Sequence, residues 1–279
     1  QQQIALWSDN LAKNLKEILK SIDLMDLPQV RDKPALIISG SPSLYERKQL
    51  ELLAEKGFKG DIFAVSRPLK DCYEHGVYPD VVCSVDGAQF DSTFFDHDIV
   101  REHAHKTTSV MAVSVHNDMV KAWPGKKLFY VPAISQKIFP NVAHIFHLLA
   151  GDKTVLGGCG NVGTVAWAIA FVLGYNPIGM IGMEAGFPSL DLETIKRYYP
   201  DSNMIKFRKK IIHPFFGTTS YTSRVFESQR DSFVIFVESC NYGLPKKIRT
   251  INCSEGGIYF GGDLEHMWFK DFLEEFGDV

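Results

Sequence analysis

A glycine-rich loop ahead of an apolar helix is the clearest sign of a binding site in this sequence. Gly158, Gly160, Asn161 and Gly163 lie at the start of an apolar segment that covers residues 162–173. Glycine allows backbone N–H groups to approach an anion, and the unpaired N–H groups at a helix start favour negative charge. The loop therefore predicts a site for a phosphate or carboxylate group.

A carboxylate, Glu184, ends the next predicted strand roughly 20 residues later, a pattern that is typical of NAD-binding sites. Two features disagree with that interpretation. The strand before the loop, residues 154–156, is very short, and five predicted strands precede it. The dinucleotide fold places its glycine pattern after the first strand. An NAD-type oxidoreductase is therefore kept only as an alternative.

A second turn with polar residues follows the first predicted strand. Gly40, Ser41 and Ser43 combine a tight turn with two hydroxyl groups at the start of a helix. This suits a phosphate, and an ordinary helix N-cap explains it equally well. Ser43 followed by Glu46 has the capping-box spacing, so we expect Ser43 to open the helix.

Asp86 and Glu184 each end an apolar strand, where a carboxylate needs hydrogen-bond donors or a metal. Parallel strands bring their carboxyl ends to one edge of a sheet, so the two acids are candidates for metal ligands or for an acid/base pair. His213 is a third candidate acid/base, although a lone histidine is more often structural. The sequence has no Gly-x-Ser-x-Gly, Walker or His-Glu-x-x-His motif, which argues against serine hydrolases, P-loop NTPases and zincins.

Short apolar runs alternate with helical segments along most of the chain, and this predicts a doubly wound α/β fold with a mostly parallel, Rossmann-like sheet. We expect a helical lead-in over residues 1–33 and one domain over residues 34–279. Residues 189–223 lack periodicity and are expected to form a helical or irregular insertion, either a lid or a surface excursion. Predicted strands cover residues 34–40, 61–66, 81–86, 109–115, 128–131, 154–156, 178–183 and 247–251; predicted helices cover 11–21, 117–123, 162–173, 226–240 and 269–276.

The composition indicates a globular protein without a nucleic-acid surface. The net charge is −3, and the basic run at residues 206–210 is better explained as a solvated face. No apolar run approaches the length of about 18 residues that a membrane span needs. The five cysteines have no ligand spacing, and Gln1-Gln2-Gln3 has no secretory-signal pattern. We therefore expect reduced thiols and a cytoplasmic location, and we make no prediction of oligomeric state.

Four stretches in this order resemble a known family along about 220 residues, namely Ile38-Ser-Gly-Ser-Pro-Ser-Leu44, Gly76-Val-Tyr-Pro-Asp-Val-Val-Cys-Ser-Val-Asp86, Gly157-Gly-Cys-Gly-Asn-Val-Gly163 with Leu173-Gly-Tyr-Asn-Pro-Ile-Gly-Met-Ile-Gly182, and Asn252-Cys-Ser-Glu-Gly-Gly257. They are similar to the domain shared by motility-associated factor (Maf) proteins and archaeal 6-hydroxymethylpterin diphosphokinases, the MptE-like family. The leading helix, Tyr221-Thr222 and the last stretch resemble the Maf branch more.

This resemblance implies a nucleotide-dependent transferase, with a glycosyltransferase that uses a CMP-activated nonulosonic acid as the first hypothesis. A small molecule or a protein such as flagellin would be the acceptor. The Gly40 turn and the Gly158 loop would hold the nucleotide, and Asp86 and Glu184 would face the sugar or a metal. On the acceptor side, the resemblance implies substrate-binding residues Ser254, Glu255 and Gly256.

Three alternatives remain open. The first is transfer of pyrophosphate from ATP to a pterin alcohol, with Mg²⁺ held by Asp86 and Glu184. The others are the NAD-type oxidoreductase and a nucleotide-binding module without catalysis. Two departures from the family bear on these choices: Glu184 replaces the usual Asp, and the flanking regions of a full-length Maf protein are absent, so we expect a minimal homologue or one domain of a longer protein.

Overall fold

The computed structural model describes residues 2–88, 93–134, 140–191, 193, 195, 196 and 209–277. The strands in this part of the chain are β1 (Ala35–Ile38), β2 (Asp61–Val65), β3 (Val81–Ser84), β4 (Thr108–Ala112), β5 (Lys127–Pro132), β6 (Val155–Leu156), β7 (Ile178–Ile181), β8 (Lys209–Ile212), β9 (Thr219–Thr222), β10 (Thr250–Asn252) and β11 (Leu264–His266). The helices are α1 (Gln2–Lys20), α2 (Pro42–Glu46), α3 (Gln49–Lys56), α4 (Leu69–Glu74), α5 (Asp98–His103), α6 (Asn117–Ala122), α7 (Pro140–Ala150), α8 (Val162–Val172), α9 (Arg224–Asn241) and α10 (Phe269–Phe276).

Nine of the described strands form a parallel sheet flanked by helices, in the order β11-β10-β7-β1-β2-β3-β4-β5-β6. The strands β1, β3 and β7 are buried along their whole length, which explains their continuous apolar sequences. The predicted doubly wound α/β class is therefore confirmed. By its contacts the chain divides into two compact units, one of Gln1–Arg31 and Ile62–Gly174, the other of Asp32–Asp61 and Tyr175–Val279.

In the first unit, β2 to β6 pair in chain order, and α1 packs against α6 and α7. The prediction that α1 begins at Leu11 is wrong, because the helix begins at Gln2. Tertiary contacts explain the extra turns. A Cβ added to Gly87 would lie 3.1 Å from Trp7 Cδ1, and Asn10 Nδ2 donates to the Gly87 carbonyl at 3.1 Å.

In the second unit, β11, β10, β7 and β1 pair in parallel, and β8 and β9 form a separate antiparallel hairpin. The expectation that Ser43 opens the α2 helix is wrong. Ser41 is the N-cap, and Pro42 occupies the first helical position, where its fixed φ and missing N–H are favourable. The hydroxyl of Ser41 accepts from the Glu184 N–H at 3.4 Å instead of capping the helix.

The predicted strand at residues 247–251 begins later, at Thr250. Asparagine side chains bind the preceding backbone, because the Ile248 and Arg249 N–H groups donate to Asn241 Oδ1 and Asn176 Oδ1 at 3.0 Å each. The end of the predicted insertion is regular, since it forms the β8–β9 hairpin. Residues 192, 194 and 197–208 of the insertion, including residues 206–208 of the basic run, lie outside the described residues.

None of the five cysteines, all of which lie in the described part of the chain, forms a disulfide bond. Among the described residues, we found no helix with both the length and the apolar character that a membrane crossing requires.

Candidate functional site

The second unit contains the point at which the connections of the sheet diverge. After β1 the chain leads to β2, whereas after β7, the strand beside β1, it continues to β10 on the opposite side. In open α/β sheets, ligands bind at the carboxyl ends of strands at such a switch point. The loops after β1 and β7 also contact each other, since Ser41 N donates to the Gly182 carbonyl at 2.9 Å. The residues after these two strands, Ser41 to Ser43 and Glu184, are therefore the candidate site.

Glu184 is a buried carboxyl group at this position, with only 6% of its surface exposed. Its Oε2 accepts from the backbone N–H of Ser43 at 2.8 Å. Burial raises the pKa of Glu184 to about 7, and the negative charge of Glu46 adds to this increase. Three groups oppose this increase in pKa, namely the Ser43 N–H, the Ser43 hydroxyl and the positive charge of Arg47. The Ser43 hydroxyl lies near the carboxyl group but, among the described residues, does not form a hydrogen bond. A carboxyl group with this pKa can accept or donate a proton near neutral pH.

The loop after β10 lies against Glu184. A Cβ added to Gly257, whose φ is +80°, would lie 2.4 Å from Glu184 Cα, so a side chain is excluded there. A Cβ added to Gly256 would lie 3.2 Å from Glu184 Oε1, 3.3 Å from Thr218 Oγ1 and 4.0 Å from Arg47 Nη2. Gly256 therefore packs closely against the Glu184 carboxyl group, and a side chain at this position would crowd Glu184 and Thr218.

Ser254 and Glu255 shape this loop. Ser254 is fully buried, and its Oγ accepts from Met183 N at 3.0 Å, which ties the loop to the end of β7. Glu255 Oε2 pairs with Arg47 Nη1 at 3.2 Å, and its Oε1 accepts from Phe269 N at 3.0 Å. Of the three predicted substrate residues, Gly256 therefore packs against the Glu184 carboxyl group, and the other two position the loop.

His213 is fully buried at the end of β8. Its Nδ1 accepts from Phe215 N and Phe216 N at 3.2 and 3.3 Å. Burial and the neighbouring His266 ring lower the pKa of His213 to about 4. The imidazole is therefore neutral at physiological pH, with its basic nitrogen engaged by the turn. The His213 N–H donates to the Thr218 carbonyl at 2.9 Å, so the residue positions Thr218.

Arg47 and Thr218 lie beside Glu184 but were not predicted from the sequence. Arg47 follows α2, four residues after Ser43, and a basic residue close to a predicted phosphate turn was a usable signal. Thr218 lies between β8 and β9 in the stretch without periodicity, where the sequence offers no signal of its position.

Asp86 and the glycine loop belong to the first unit. Asp86 follows β3, and its side chain is exposed. The pKa of Asp86 is nevertheless raised, because the surrounding protein reduces the hydration of the carboxyl group, and the positive charge of Arg67 opposes this increase. Tyr130 on β5 is buried, and its hydroxyl has no hydrogen-bond partner within the described residues. Burial raises the pKa of Tyr130, and the negative charge of Asp86 adds to that increase.

Internal hydrogen bonds hold the glycine loop. Asn161 is the N-cap of α8, because its Oδ1 accepts from Thr164 N at 3.1 Å. The Thr164 hydroxyl accepts from Cys159 N at 3.0 Å and donates to the Asn161 carbonyl at 2.8 Å. A Cβ added to Gly158 would lie 2.6 Å from Val165 Cγ2, so this glycine is needed for packing. An anion at Gly160 or Gly163 stays a prediction.

In the part of the chain that the structure describes, no group of three or more His, Cys, Asp or Glu side chains is arranged to hold a metal ion. Asp86 belongs to the first unit and Glu184 to the second. Their proposed metal binding stays a prediction.

The fold and the carboxyl group at the switch point define a doubly wound α/β protein with a candidate catalytic acid/base. The sequence model of a family described as 6-hydroxymethylpterin diphosphokinase MptE-like matches residues 9–189. The match covers more than half of the chain. The protein therefore belongs to the MptE-like family, as its motifs predicted.

A solved structure titled as that of a Maf glycosyltransferase from Magnetospirillum magneticum AMB-1 is similar, with a TM-score of 0.65 and 15% sequence identity. The match covers 94% of this chain and 38% of the other. The chain therefore spans less than half the length of that protein, and at this identity the likeness shows the fold. A comparison with curated proteins gave no match.

Proposed function

We propose that this protein is a nucleotide-dependent transferase that moves a glycosyl group from a CMP-activated nonulosonic acid to a hydroxyl group. The observation that carries the proposal is Glu184, a buried carboxyl group at the switch point of the sheet whose pKa is raised to about 7. A group with a pKa near the working pH is the most effective acid/base catalyst.

The structural likeness supports glycosyl transfer. It covers 94% of the chain and must extend well beyond residue 189, where the family match ends. The β8–β9 hairpin and the Gly256 loop, which complete the surroundings of Glu184, lie in this last part of the chain. Maf is also the branch that the motifs resemble more closely.

In the proposed reaction, Glu184 accepts the proton of the acceptor hydroxyl. The hydroxyl oxygen forms a bond to the anomeric carbon of the sugar, and the bond from that carbon to the phosphate oxygen breaks. CMP leaves with the electron pair of the broken bond. Proton removal strengthens the attacking oxygen as the oxocarbenium-like centre develops, and such general-base catalysis is typically worth a factor of 10² to 10⁴.

The proposal also includes residues that would bind the donor substrate. In the second unit, the turn with Gly40, Ser41 and Ser43 is proposed to contact a phosphate. In the first unit, the Gly158 loop is proposed to hold an anion of the nucleotide, and Asp86 is proposed to face the sugar or a metal. A protein acceptor such as flagellin and a cytoplasmic location are also proposals.

Turnover of a CMP-sugar tests this function. The purified protein is incubated with CMP-N-acetylneuraminic acid, a CMP-activated nonulosonic acid, and release of CMP is measured with and without a candidate acceptor. Glu184→Gln keeps the shape of the side chain but cannot take up the proton, so we expect kcat to fall by ~100-fold or more. Glu55→Gln, a change at an exposed position of α3, serves as the matched control and should leave kcat within about twofold.

The family match favours a second candidate, the ATP-dependent pyrophosphoryl transfer to a pterin alcohol. Thermal shifts with CMP, ATP, GTP and NAD⁺, each with and without Mg²⁺, separate the candidates, because a ligand of the native state raises its stability. We expect CMP to stabilise the protein. A shift with ATP that requires Mg²⁺ would favour the second candidate, and a shift with NAD⁺ alone would contradict both.

A further inference from the structure

The backbone directly after Glu184 is strained. Ala185 has a φ of +50°, in the left-handed region that residues other than glycine seldom occupy. Such a conformation persists only where the surrounding structure holds it. We propose that Thr222 is a positioning residue, which holds Ala185 in this conformation and thereby keeps the Glu184 carboxyl group in place for proton transfer. This inference rests on the proposed function, in which Glu184 accepts a proton, and goes beyond it.

Hydrogen bonds fix the peptide groups on both sides of Ala185. The Glu184 carbonyl, on one side, accepts from Ile258 N at 2.8 Å. The Ala185 carbonyl, on the other side, accepts from the Thr222 hydroxyl at 2.9 Å. The φ and ψ angles of Ala185 describe the rotation between these two planar groups, so holding both groups holds the strained conformation. Thr222 therefore supplies a contact that opposes the relaxation of Ala185.

The position of Thr222 suits this role. Thr222 is the last residue of β9 and is fully buried, so in this structure its hydroxyl does not face a substrate. The β9 strand is also tied to the segment after Ala185. Tyr221 N donates to the Phe187 carbonyl, and Phe187 N donates to the Tyr221 carbonyl, at 2.8 Å each. The hydroxyl of Thr222 thus acts from a backbone that is itself fixed.

Relaxation of Ala185 should displace the neighbouring carboxyl group. A negative φ at Ala185 rotates the chain next to Glu184, and the hydrogen bond of 2.8 Å from Ser43 N to Glu184 Oε2 tolerates little movement. A carboxyl group that leaves this contact also leaves its buried position. Because burial is the main cause of the raised pKa of Glu184, this pKa should then fall toward its ordinary value of 4.5.

Thr222→Val tests the role, because it keeps the shape of the side chain and removes the hydroxyl. We expect the pKa of Glu184, followed by ¹³C NMR of the labelled carboxyl group, to fall from about 7 to about 6 or lower. The kcat for CMP release should fall by ~10-fold or more, with KM within about twofold of the wild type. Thr222→Ser, which keeps a hydroxyl group, should restore most of both quantities.

Thr107→Val in the first unit is the matched control. Thr107 is also buried, and its hydroxyl donates to the Pro79 carbonyl at 2.6 Å. The substitution therefore removes a comparable hydrogen bond. It should change neither the pKa of Glu184 nor kcat.

The strain itself is tested in a glycine background. Glycine adopts the left-handed conformation without strain, so Ala185→Gly removes the need for a holding contact. In this background Thr222→Val should leave the pKa of Glu184 at about 7 and kcat within about threefold of that of Ala185→Gly. Equal effects of Thr222→Val in the alanine and glycine backgrounds would overturn the proposal. If Thr222→Val alone does not fold, the double variant should still fold with the raised pKa, and its failure to do so would also overturn the proposal.

The NMR measurement separates this proposal from the proposed function, because it requires no turnover. A pKa of Glu184 that depends on Thr222 in the alanine background only, in a protein that does not turn over CMP-N-acetylneuraminic acid, would support the positioning role and contradict the proposed glycosyl transfer. An unchanged pKa in Thr222→Val, in a protein whose wild type turns over this donor, would contradict the positioning role and support the glycosyl transfer.

Discussion

Glu184 makes the stability of the protein depend on pH. Its pKa in the folded protein is about 7, above the ordinary value of 4.5, so the native state holds this proton more tightly than the unfolded state. Stability from this group is therefore lost as the pH rises from 4.5 to 7. The full loss above pH 7 corresponds to about 3 kcal/mol of unfolding free energy.

Replacing the carboxyl group with an amide should remove this dependence. We expect Glu184→Gln to match the wild type below pH 4.5 and to exceed its stability by up to about 3 kcal/mol at pH 8. Urea unfolding of both proteins at pH 4.5, 6 and 8 measures the difference, with Glu55→Gln as the control that shows none. A difference that stays constant across this range would contradict the raised pKa.

Two buried asparagines of α1 bind the loop that follows β4. Asn14 Nδ2 donates to the carbonyls of Val113 and Val115 at 3.2 and 2.8 Å, and its Oδ1 accepts from Asn117 at 2.8 Å. Asn10 Nδ2 donates to the Ser114 carbonyl at 3.0 Å. The helix therefore satisfies backbone groups of the first unit that would otherwise be buried without donors.

Removal of one amide should destabilise the protein. We expect Asn14→Ala to lower the unfolding free energy by ~2 kcal/mol, because two buried carbonyls lose their donor. Lys16→Ala, at an exposed position of the same helix, should change it by less than about 0.5 kcal/mol. Denaturant unfolding monitored by circular dichroism compares the two variants. Equal effects of both substitutions would show that α1 is held by other contacts.

The β8–β9 hairpin should loosen in acid. The pKa of His213 is about 4 in the folded protein, below the ordinary 6.5, so the unfolded state takes up the proton first as the pH falls. Stability from this group is present above pH 6.5 and is lost between pH 6.5 and 4. Hydrogen exchange at the Phe215 and Phe216 amides, corrected for its intrinsic rate, should show a falling protection over this range.

His213→Gln provides the comparison for the hairpin. An amide oxygen can accept from the same backbone N–H groups but does not titrate in this range, so the pH dependence of protection should vanish. His147→Gln on α7, where the histidine is exposed, should leave it unchanged. Protection that does not vary with pH in the wild type would contradict this role of His213.

At the scale of the whole molecule, the fold class could be predicted because buried parallel strands are continuously apolar, as in β1 and β7. Some of the shorter elements could not be predicted from the sequence. The strand β11 covers only Leu264–His266, with one buried residue, and depends on pairing with β10. Three residues are too few to show a period, so only the tertiary partner defines this strand.

The candidate site was predicted to the extent that strand ends determine it. Ser43 and Glu184 follow neighbouring strands, and their hydrogen bond agrees with the rule that ligands and polar groups gather at this edge. The packing of Gly256 against Glu184 could not be predicted from the positions of the strand ends, because it depends on the path of the loop after β10. Thr218 could not be predicted at all, because its position depends on a hairpin held by a buried histidine.

The pairing of β1 with β7 has a consequence for biosynthesis. Ala35–Ile38 pairs with Ile178–Ile181. The buried strand β1 therefore cannot pair with β7 until some 140 further residues have been translated. At about 5–20 residues per second, the ribosome needs on the order of ten seconds to make that stretch. During this time the nascent chain presents an unsatisfied apolar edge. Chaperone demand and aggregation during synthesis should therefore be set by this interval more than by the stability of the finished protein.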